Sequence, residues 1–153
     1  MNITPTTTLQ DAKEQLEANL TEGVTCPCCS RFAKRYRRKL HAEMGRYLVN
    51  VYKRDQFGTE WIHIREIMPG VVKASTDASY LVHYGLIECR GSEGGAGWYR
   101  TTPFGREFVE GKRMAKSHFF VYGGESQGFS GDYVSIKQVL GTKFDYAELM
   151  AGV

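Results

Sequence analysis

Three cysteines lie together in the run Cys26-Pro27-Cys28-Cys29. Two thiolates spaced as in Cys26 and Cys29, with a proline between them, are typical of a turn that supplies two of the four ligands of a structural zinc ion. No second pair follows, so Cys89 and the histidines are the other soft ligands. The run predicts a zinc site at Cys26 and Cys29. The alternatives are inert thiols packed at the foot of a helix and a redox-active pair.

Basic residues are concentrated in one part of the chain. Residues 31–54 hold nine Lys or Arg and one acidic residue, Glu43, which is a net charge of +8. The other 129 residues contain 11 basic and 16 acidic ones, so the overall charge of +3 conceals a strong asymmetry. Such a cluster repels itself, and we expect an anionic surface against it: nucleic acid, an acidic protein, or the chain's own acidic first helix. A solvated helix face is the alternative.

No arrangement of residues typical of an enzyme is present. The chain lacks paired catalytic carboxylates, a Ser-His-Asp order and a phosphate-binding loop, and its glycines cluster where hairpin tips are expected. It also lacks a long apolar run and a readable signal peptide. At 153 residues and 42% hydrophobic, the composition indicates one ordinary domain with a small appendage. We therefore expect a non-enzymatic cytoplasmic protein with no membrane partner.

Helical spacing predicts how the basic residues are positioned. A short amphipathic helix is expected within 7–20, and a long helix over 31–53 with Ser30 as its N-cap. One face of the long helix would carry apolar side chains: Phe32, Tyr36, Leu40, Met44, Tyr47, Leu48 and Val51. The opposite face would carry the cations Arg31, Lys34, Arg35, Arg38, Lys39 and Arg46.

Helices and strands alternate in the rest of the chain. The predicted elements are, in order, a strand and short helix at 61–68, a helix at 75–84 ended by Gly85, a strand at 86–90, a glycine-rich hairpin tip at 91–97, a strand at 98–101, and a helix from Thr102 to Gly111. The C-terminal part predicts a strand at 119–122, a loop at 123–132, a second strand at 133–136 or a capped helical turn at 135–141, and a short amphipathic segment at 144–150.

This order resembles the winged helix-turn-helix proteins, in particular the MarR and PadR groups. The resemblance is carried by a Leu-x-x-x-Gly-Leu-Ile run before the hairpin and a Tyr-x-x-Thr-x-x-Gly run after it, at Leu81, Gly85, Leu86, Ile87, Tyr99, Thr102 and Gly105. The cysteine run and the C-terminal segment also make the chain similar to small phage-encoded winged-helix proteins. The resemblance implies an α+β fold with an N-terminal helix (residues 1–25), a winged-helix domain (26–113) and a C-terminal extension of a β-hairpin and a short helix (114–153).

In winged-helix proteins the third helix enters the major groove and the wing reaches the backbone or the minor groove. The resemblance therefore implies DNA contacts from Lys73, Ser75, Thr76, Ser79 and Tyr80 on the helix, and from Arg90 and Arg100 beside the wing. The helix has no Lys or Arg after Lys73 and contains Asp77, so direct guanine readout is not expected. Phosphate contacts are expected instead from Arg31, Lys34, Arg35, Arg38 and Lys39.

Two functions are consistent with these features. The first is a small phage or prokaryotic regulator that contacts the DNA backbone through the basic helix. The second is a phage effector that uses the winged-helix scaffold to bind and modulate a host protein. The third helix without basic residues, the predicted hairpin at 119–136 and the tail at 144–150 favour the second function. Such a tail would dock into a groove of a partner or form a homodimer.

Overall fold

A computed structural model describes residues 2–68, 74–91 and 97–152 of the chain. The protein is a mixed α+β structure, 38% helix and 25% strand, with open antiparallel sheets. Its residues form two compact units: unit 1 comprises residues 1–38 and 119–129, and unit 2 comprises residues 39–118 and 130–153. Among the described helices, none combines the length and the apolar composition that crossing a membrane requires.

The described helices are α1 (Leu9–Ala18), α2 (Ala42–Arg54), α3 (Ile64–Ile67), α4 (Ala74–Tyr84), α5 (Pro103–Val109), α6 (Ile136–Leu140) and α7 (Tyr146–Met150). The described strands are β1 (Val24–Thr25), β2 (Phe32–Ala33), β3 (Tyr36–Lys39), β4 (Ile62–His63), β5 (Ile87–Cys89), β6 (Trp98–Thr101), β7 (Ala115–Tyr122) and β8 (Glu125–Val134). Strands β1 and β2 form a pair, and the two larger sheets have the orders β3–β7–β8 and β4–β6–β5.

The predicted long helix is wrong in its N-terminal half. The chain is extended through β2 and β3, and α2 begins only at Ala42. Ser30 is not the N-cap, because its φ of 62° lies in the left-handed region. The N-cap is His41, whose Nδ1 accepts a hydrogen bond from the Met44 N–H at 3.4 Å. In a helix, basic residues three and four positions apart would lie on the same face and repel one another. An extended chain spreads the same residues over a greater length.

Helix α2 forms the centre of unit 2. Met44, Tyr47, Leu48 and Val51 are fully buried, as the helical spacing predicts, and α2 packs against α4, α5, α6 and β6. The N-terminal members of the predicted apolar face, by contrast, lie outside the helix. The buried stripe therefore begins at the helix, and the cations before it are positioned by strands.

The end of α2 is tied to β6 by a buried carboxylate. Asp55 is inaccessible to solvent, and its Oδ2 accepts hydrogen bonds from the Thr101 N–H at 2.7 Å and from the Thr101 hydroxyl. A buried carboxylate is costly unless such donors reach it, so this contact specifies how helix and strand meet.

The three strands of the sheet β4–β6–β5 lie where the sequence predicted strands. Strand β6 is antiparallel to both of its partners, with Ile87 opposite Thr101. Helix α4 ends at Tyr84, and Gly85, which follows it, has the predicted positive φ of 75°. Gly105 in α5 permits a close approach, because a Cβ at this position would collide with the carbonyl oxygen of Leu86. The predicted hairpin tip at residues 92–96 lies outside the described residues.

The C-terminal part forms the predicted hairpin and short helices, but the predicted loop at 123–132 is wrong. Strand β8 covers most of it and leaves Gly123 and Gly124 between the strands. Gly128 and Gly131, typical of a loop, lie inside β8 with φ values of 100° and 83°. Glycines within strands are compatible with local bends, so they do not end the pairing.

Helix α6 replaces the end of the predicted second strand. Ser135 begins it with a capping box, in which the Ser135 hydroxyl accepts from the Gln138 N–H at 3.2 Å and the Gln138 side chain accepts from the Ser135 N–H at 2.8 Å. This is the capped helical turn that the sequence left open. The two bonds satisfy N–H groups that the first turn of any helix leaves unpaired.

Unit 1 has a small core. Helix α1 forms as predicted, with the Thr8 hydroxyl accepting a hydrogen bond from the Asp11 N–H at 3.1 Å. No side chain of α1 is fully buried, and among the described residues of unit 1 only Leu20 and Phe119 are. The Arg35 N–H donates to the Leu20 carbonyl at 2.8 Å and joins the basic part of the chain to this core.

Candidate nucleic-acid interface

The basic segment, residues 31–39, runs through β2, β3 and the two residues between them. Most of its cationic side chains are exposed, while those of Lys34 and Arg35 are half-buried. The predicted phosphate-binding residues Arg31, Lys34, Arg35, Arg38 and Lys39 therefore all lie on this segment. They do not form the face of a helix, and the prediction of a basic helix is wrong. An extended chain presents cations on both of its sides.

Several of these cations lack an acidic partner among the described residues. Within the part of the chain that the structure describes, no ion pair joins an acidic side chain to Arg31, Lys34, Arg35 or Lys39. The predicted partner within the chain, the acidic first helix, thus forms no ion pair with these four residues. Their charges are left for water, salt ions or an external anion.

Aromatic rings are interleaved with the cations. Tyr36 is 42% exposed, with the Lys34 Nζ 5.8 Å and the Arg38 guanidinium carbon 4.8 Å from its ring centroid. Phe32 is 64% exposed. Sequence reasoning placed both rings in a buried helix face and missed them as surface groups. The signal that indicates them is the run Arg-Phe-Ala-Lys-Arg-Tyr-Arg at residues 31–37, in which each large ring directly follows an arginine.

An open cavity of about 510 Å³ lies in unit 1 beside the basic segment. Aromatic, cationic and thiol side chains line it together, along with a glycine turn. The lining residues are Leu16, Cys26, Cys29, Arg31, Phe32, Ala33, Lys34, Tyr36, Val121, Tyr122, Gly123 and Gly124. The cavity brings together the two features of the sequence that suggested chemistry, namely the cysteine run and the basic residues.

The cysteine run forms the tight turn between β1 and β2. The Cys26 N–H donates to the Arg31 carbonyl at 2.8 Å, and the Ser30 N–H donates to the Cys26 carbonyl at 2.8 Å. Hydrogen bonds from the Cys29 backbone, and then from the Cys28 backbone, hold the pKa of the Cys26 thiol below its ordinary value. The turn leads into strand β2, so the expected position of the cysteines at the foot of a helix is wrong.

The thiols of the turn are free. Among the residues that the structure describes, no three His, Cys, Asp or Glu side chains are grouped so that they could hold a metal ion. A structural zinc ion takes four ligands, and the zinc prediction therefore rests on Cys26 and Cys29 alone. It stays a prediction. Metal analysis of protein purified without chelator checks it, and a zinc content below a substoichiometric trace would contradict it.

Helix α4 presents a polar face without acidic charge. Thr76 and Ser79 are exposed on it, as the DNA-binding prediction requires. Asp77 is turned inward: it is 8% exposed, and its Oδ1 lies 3.5 Å from the Nε2 of His41. Ser75 lies in α4, although its side chain is not described, and Lys73 lies outside the described residues. The acidic residue that argued against this helix therefore does not face solvent.

The two arginines beside the predicted wing make contacts within unit 2. The Arg100 guanidinium pairs with Glu88 and lies 4.1 Å from the ring centroid of Trp61. The Arg90 guanidinium lies 5.2 Å from the ring centroid of Trp98. These contacts occupy the planar groups that would otherwise bind phosphate or guanine.

The C-terminal tail, whose expected exposure favoured a host-protein partner, packs on unit 2. Helix α7 contacts α2 and α6, and the Tyr146 hydroxyl donates to the Val109 carbonyl at 2.6 Å. Phe144 is also engaged, because the Arg46 guanidinium lies 4.7 Å from its ring centroid. The tail is therefore an ordered part of unit 2.

Comparison with known proteins gives no relative from which a function could be transferred. No family model matches the chain, and neither a curated protein nor a solved structure is significantly similar to it.

Proposed function

We propose that the protein is a small winged-helix DNA-binding protein that contacts the DNA backbone through the basic segment. The order α2, β4, α3, α4, β5, β6, α5 in unit 2 supports the winged-helix assignment, as does the antiparallel strand order β4–β6–β5. A three-helix arrangement with a hairpin after the third helix is the plan on which such proteins position a helix against DNA.

One observation carries the DNA-binding proposal. The basic segment holds six Lys or Arg in nine residues, and Arg31, Lys34, Arg35 and Lys39 have no acidic partner among the described residues. Cations left in this state bind a polyanion favourably, because each phosphate contact releases condensed counterions. A polar but uncharged face on α4 adds positioning contacts rather than strong attraction.

The binding we expect is therefore largely independent of sequence. Thr76 and Ser79 on α4 can donate to phosphate oxygens or base edges, whereas Arg90 and Arg100 are engaged within the unit. Bidentate recognition of guanine by arginine, the commonest specific contact, is consequently not expected from this helix or its wing.

A titration of a mixed-sequence DNA duplex at about 50 mM and about 200 mM salt tests the proposal. We expect binding at low salt that weakens steeply at higher salt. The double variant Arg31→Gln/Lys34→Gln should reduce the slope of log K against log salt by about 2, since each lost phosphate contact contributes about 0.9. Lys13→Gln/Lys112→Gln removes the same charge outside the basic segment and should leave the slope unchanged. Absence of binding at low salt, or binding insensitive to salt, would refute DNA binding.

The competing proposal of a host-protein partner retains one structural observation. Phe129 and Tyr133 on β8 are 47% and 61% exposed, and exposed aromatic rings are enriched in protein interfaces. A pull-down from nuclease-treated host lysate separates this function from DNA binding. A protein retained by the wild type but not by a Phe129→Ser/Tyr133→Ser variant would favour it, and the absence of such a protein would argue against it.

A further inference from the structure

The cavity of unit 1 has the size and chemistry of a small-ligand site. Its volume of about 510 Å³ lies within the range of pockets that hold one small molecule. Arg31 and Lys34 make its lining cationic, while Phe32, Tyr36 and Tyr122 make it aromatic. An aliphatic ligand would gain nothing from the cations, and a bare phosphate nothing from the rings. A nucleotide combines a phosphate with a flat aromatic base and matches both.

Phe32 is the ring best placed to receive a base. It is 64% exposed, and no cation among the described residues lies over it, unlike Tyr36. Its ring packs on Gly23, where φ is 94° and where an added Cβ would collide with the ring. Gly23 therefore allows the outer end of the Phe32 ring to lie against the backbone.

Duplex DNA cannot use such a surface, because its bases are stacked on one another. An unpaired base can stack on an exposed aromatic ring, and each stacked base contributes substantially whatever its identity. Cations beside the ring then track the phosphates of the same strand. The basic segment supplies both groups within five residues of chain, from Arg31 to Arg35.

We propose that this cavity holds the base of one unpaired nucleotide of single-stranded DNA, stacked on Phe32 with its flanking phosphates at Arg31 and Lys34, which rests on the DNA binding proposed above. The protein then discriminates between unpaired and paired DNA through unit 1. Contacts with the phosphates contribute affinity for both paired and unpaired DNA. Stacking of the base contributes affinity for unpaired DNA alone.

The test compares a short oligothymidylate strand with an abasic strand of the same length and the same number of phosphates. We expect the oligothymidylate to bind about fivefold or more tightly, since stacking of one base is worth at least that factor. Phe32→Leu, which keeps an apolar side chain but removes the ring, should abolish the difference, and Phe32→Tyr should retain it. Phe129→Leu, at an exposed ring of unit 1 that does not line the cavity, should also retain it.

The outcomes separate the two proposals. Equal binding of both strands by the wild type would overturn base stacking and leave DNA binding standing, as would a difference that persists in Phe32→Leu. Failure of both strands to bind would overturn base stacking, and the duplex titration described above then decides whether the protein binds DNA at all. Circular dichroism of each variant checks that the fold is kept.

Alkylation of the cysteine thiols gives an independent test of where the base binds. Cys29 lines the cavity, whereas Cys89 lies in unit 2, and both are exposed. Bound oligothymidylate should slow alkylation of Cys29 by iodoacetamide more than the abasic strand does, and it should not slow alkylation of Cys89. Equal rates at Cys29 with the two strands would place the base outside the cavity and overturn the proposal.

Discussion

Glu43 is the acidic residue within the basic part of the chain, and its carboxylate forms two ion pairs. Its Oε1 lies 2.8 Å from the Lys143 Nζ, and its Oε2 lies 2.9 Å from an Arg46 guanidinium nitrogen. The hydrogen bond from Lys143 and, more weakly, the charge of Arg46 hold the pKa of Glu43 below its ordinary value. The residue thereby joins α2 to the segment before α7. Its role is in the packing of unit 2 rather than in the basic segment.

This lowered pKa predicts a dependence of stability on pH. Because the native pKa lies below the unfolded one, the stabilisation is fully present above the ordinary carboxyl pKa of about 4.3 and is lost as the pH falls through the lowered native value. Urea unfolding of the wild type should therefore show a steeper loss of stability on acidification than that of Glu43→Gln. Glu60→Gln, at an exposed carboxylate of unit 2 with no ion pair among the described residues, should follow the wild type. Parallel pH profiles of the wild type and Glu43→Gln would contradict this role.

At the scale of single elements, the N-terminus of α5 is capped by one hydroxyl, that of Thr102. The Thr102 Oγ1 accepts from the Gly105 N–H at 3.0 Å and donates to the Gly85 carbonyl at 2.5 Å. It therefore caps α5 and holds the glycine that follows α4. Two turns of the chain that are distant in sequence are joined at this side chain.

Removal of this hydroxyl should destabilise unit 2 without touching the basic segment. Thr102→Ala is expected to lower the free energy of unfolding by about 1–2 kcal/mol, the usual cost of losing an N-cap, and Thr102→Ser by clearly less. The midpoint of urea unfolding measures the change, and an unaltered dependence on urea concentration would show that the unfolded surface is the same. The capping role fails if the alanine and serine variants are equally stable.

Elements were predictable from the sequence where the capping residues and the spacing of the apolar residues indicate the same helix ends. Helix α4 with Gly85, helix α5 with Thr102 and the strands between them formed as expected. The start of α2 was not predictable, because Phe32 and Tyr36 fall in phase with the buried stripe although they are exposed. Periodicity measures spacing and not burial, and the repulsion among neighbouring cations outweighs it here.

The cations and cysteines of the candidate site were predicted from the sequence, whereas its exposed rings and its geometry were not. The cations of the basic segment were identified from charge alone, and Cys26 and Cys29 from their spacing. Their meeting in one cavity depends on Val121 and Tyr122, which follow the cysteines by some ninety positions in the chain. Contacts over such a separation leave no periodic signal in a single sequence.

At the scale of the whole molecule, the charge asymmetry lies inside unit 1 rather than between the units. Unit 1 contains six basic and five acidic residues, a net of +1, and unit 2 carries the remaining net of +2. Asp11, Glu14, Glu17 and Glu22 lie in or just after α1, whereas five of the six basic residues lie in 31–38. An approaching polyanion is therefore attracted to one part of unit 1 and repelled by another, which orients it before contact.

The two units should differ in their local stability. Leu20 and Phe119 are the fully buried side chains among the described residues of unit 1, whereas unit 2 buries most of α2 and parts of α3, α4, α5 and α6. Sparse apolar burial lowers the free energy of local opening. Amide hydrogen exchange should therefore be faster in α1 than in α2, and bound single-stranded DNA should slow exchange in the basic segment. Equal protection of α1 and α2 would contradict this difference.

The division of unit 1 between two stretches of chain has a consequence for biosynthesis. Residues 1–38 are made first, but their partners at 119–129 emerge only after the intervening 80 residues of unit 2. Strand β3, at the end of the basic segment, likewise waits for its neighbour β7. On the ribosome the cations are therefore exposed on an incomplete unit while most of unit 2 is already available to fold. A chain that stopped before residue 119 would keep every cation of the basic segment and still lack the cavity wall.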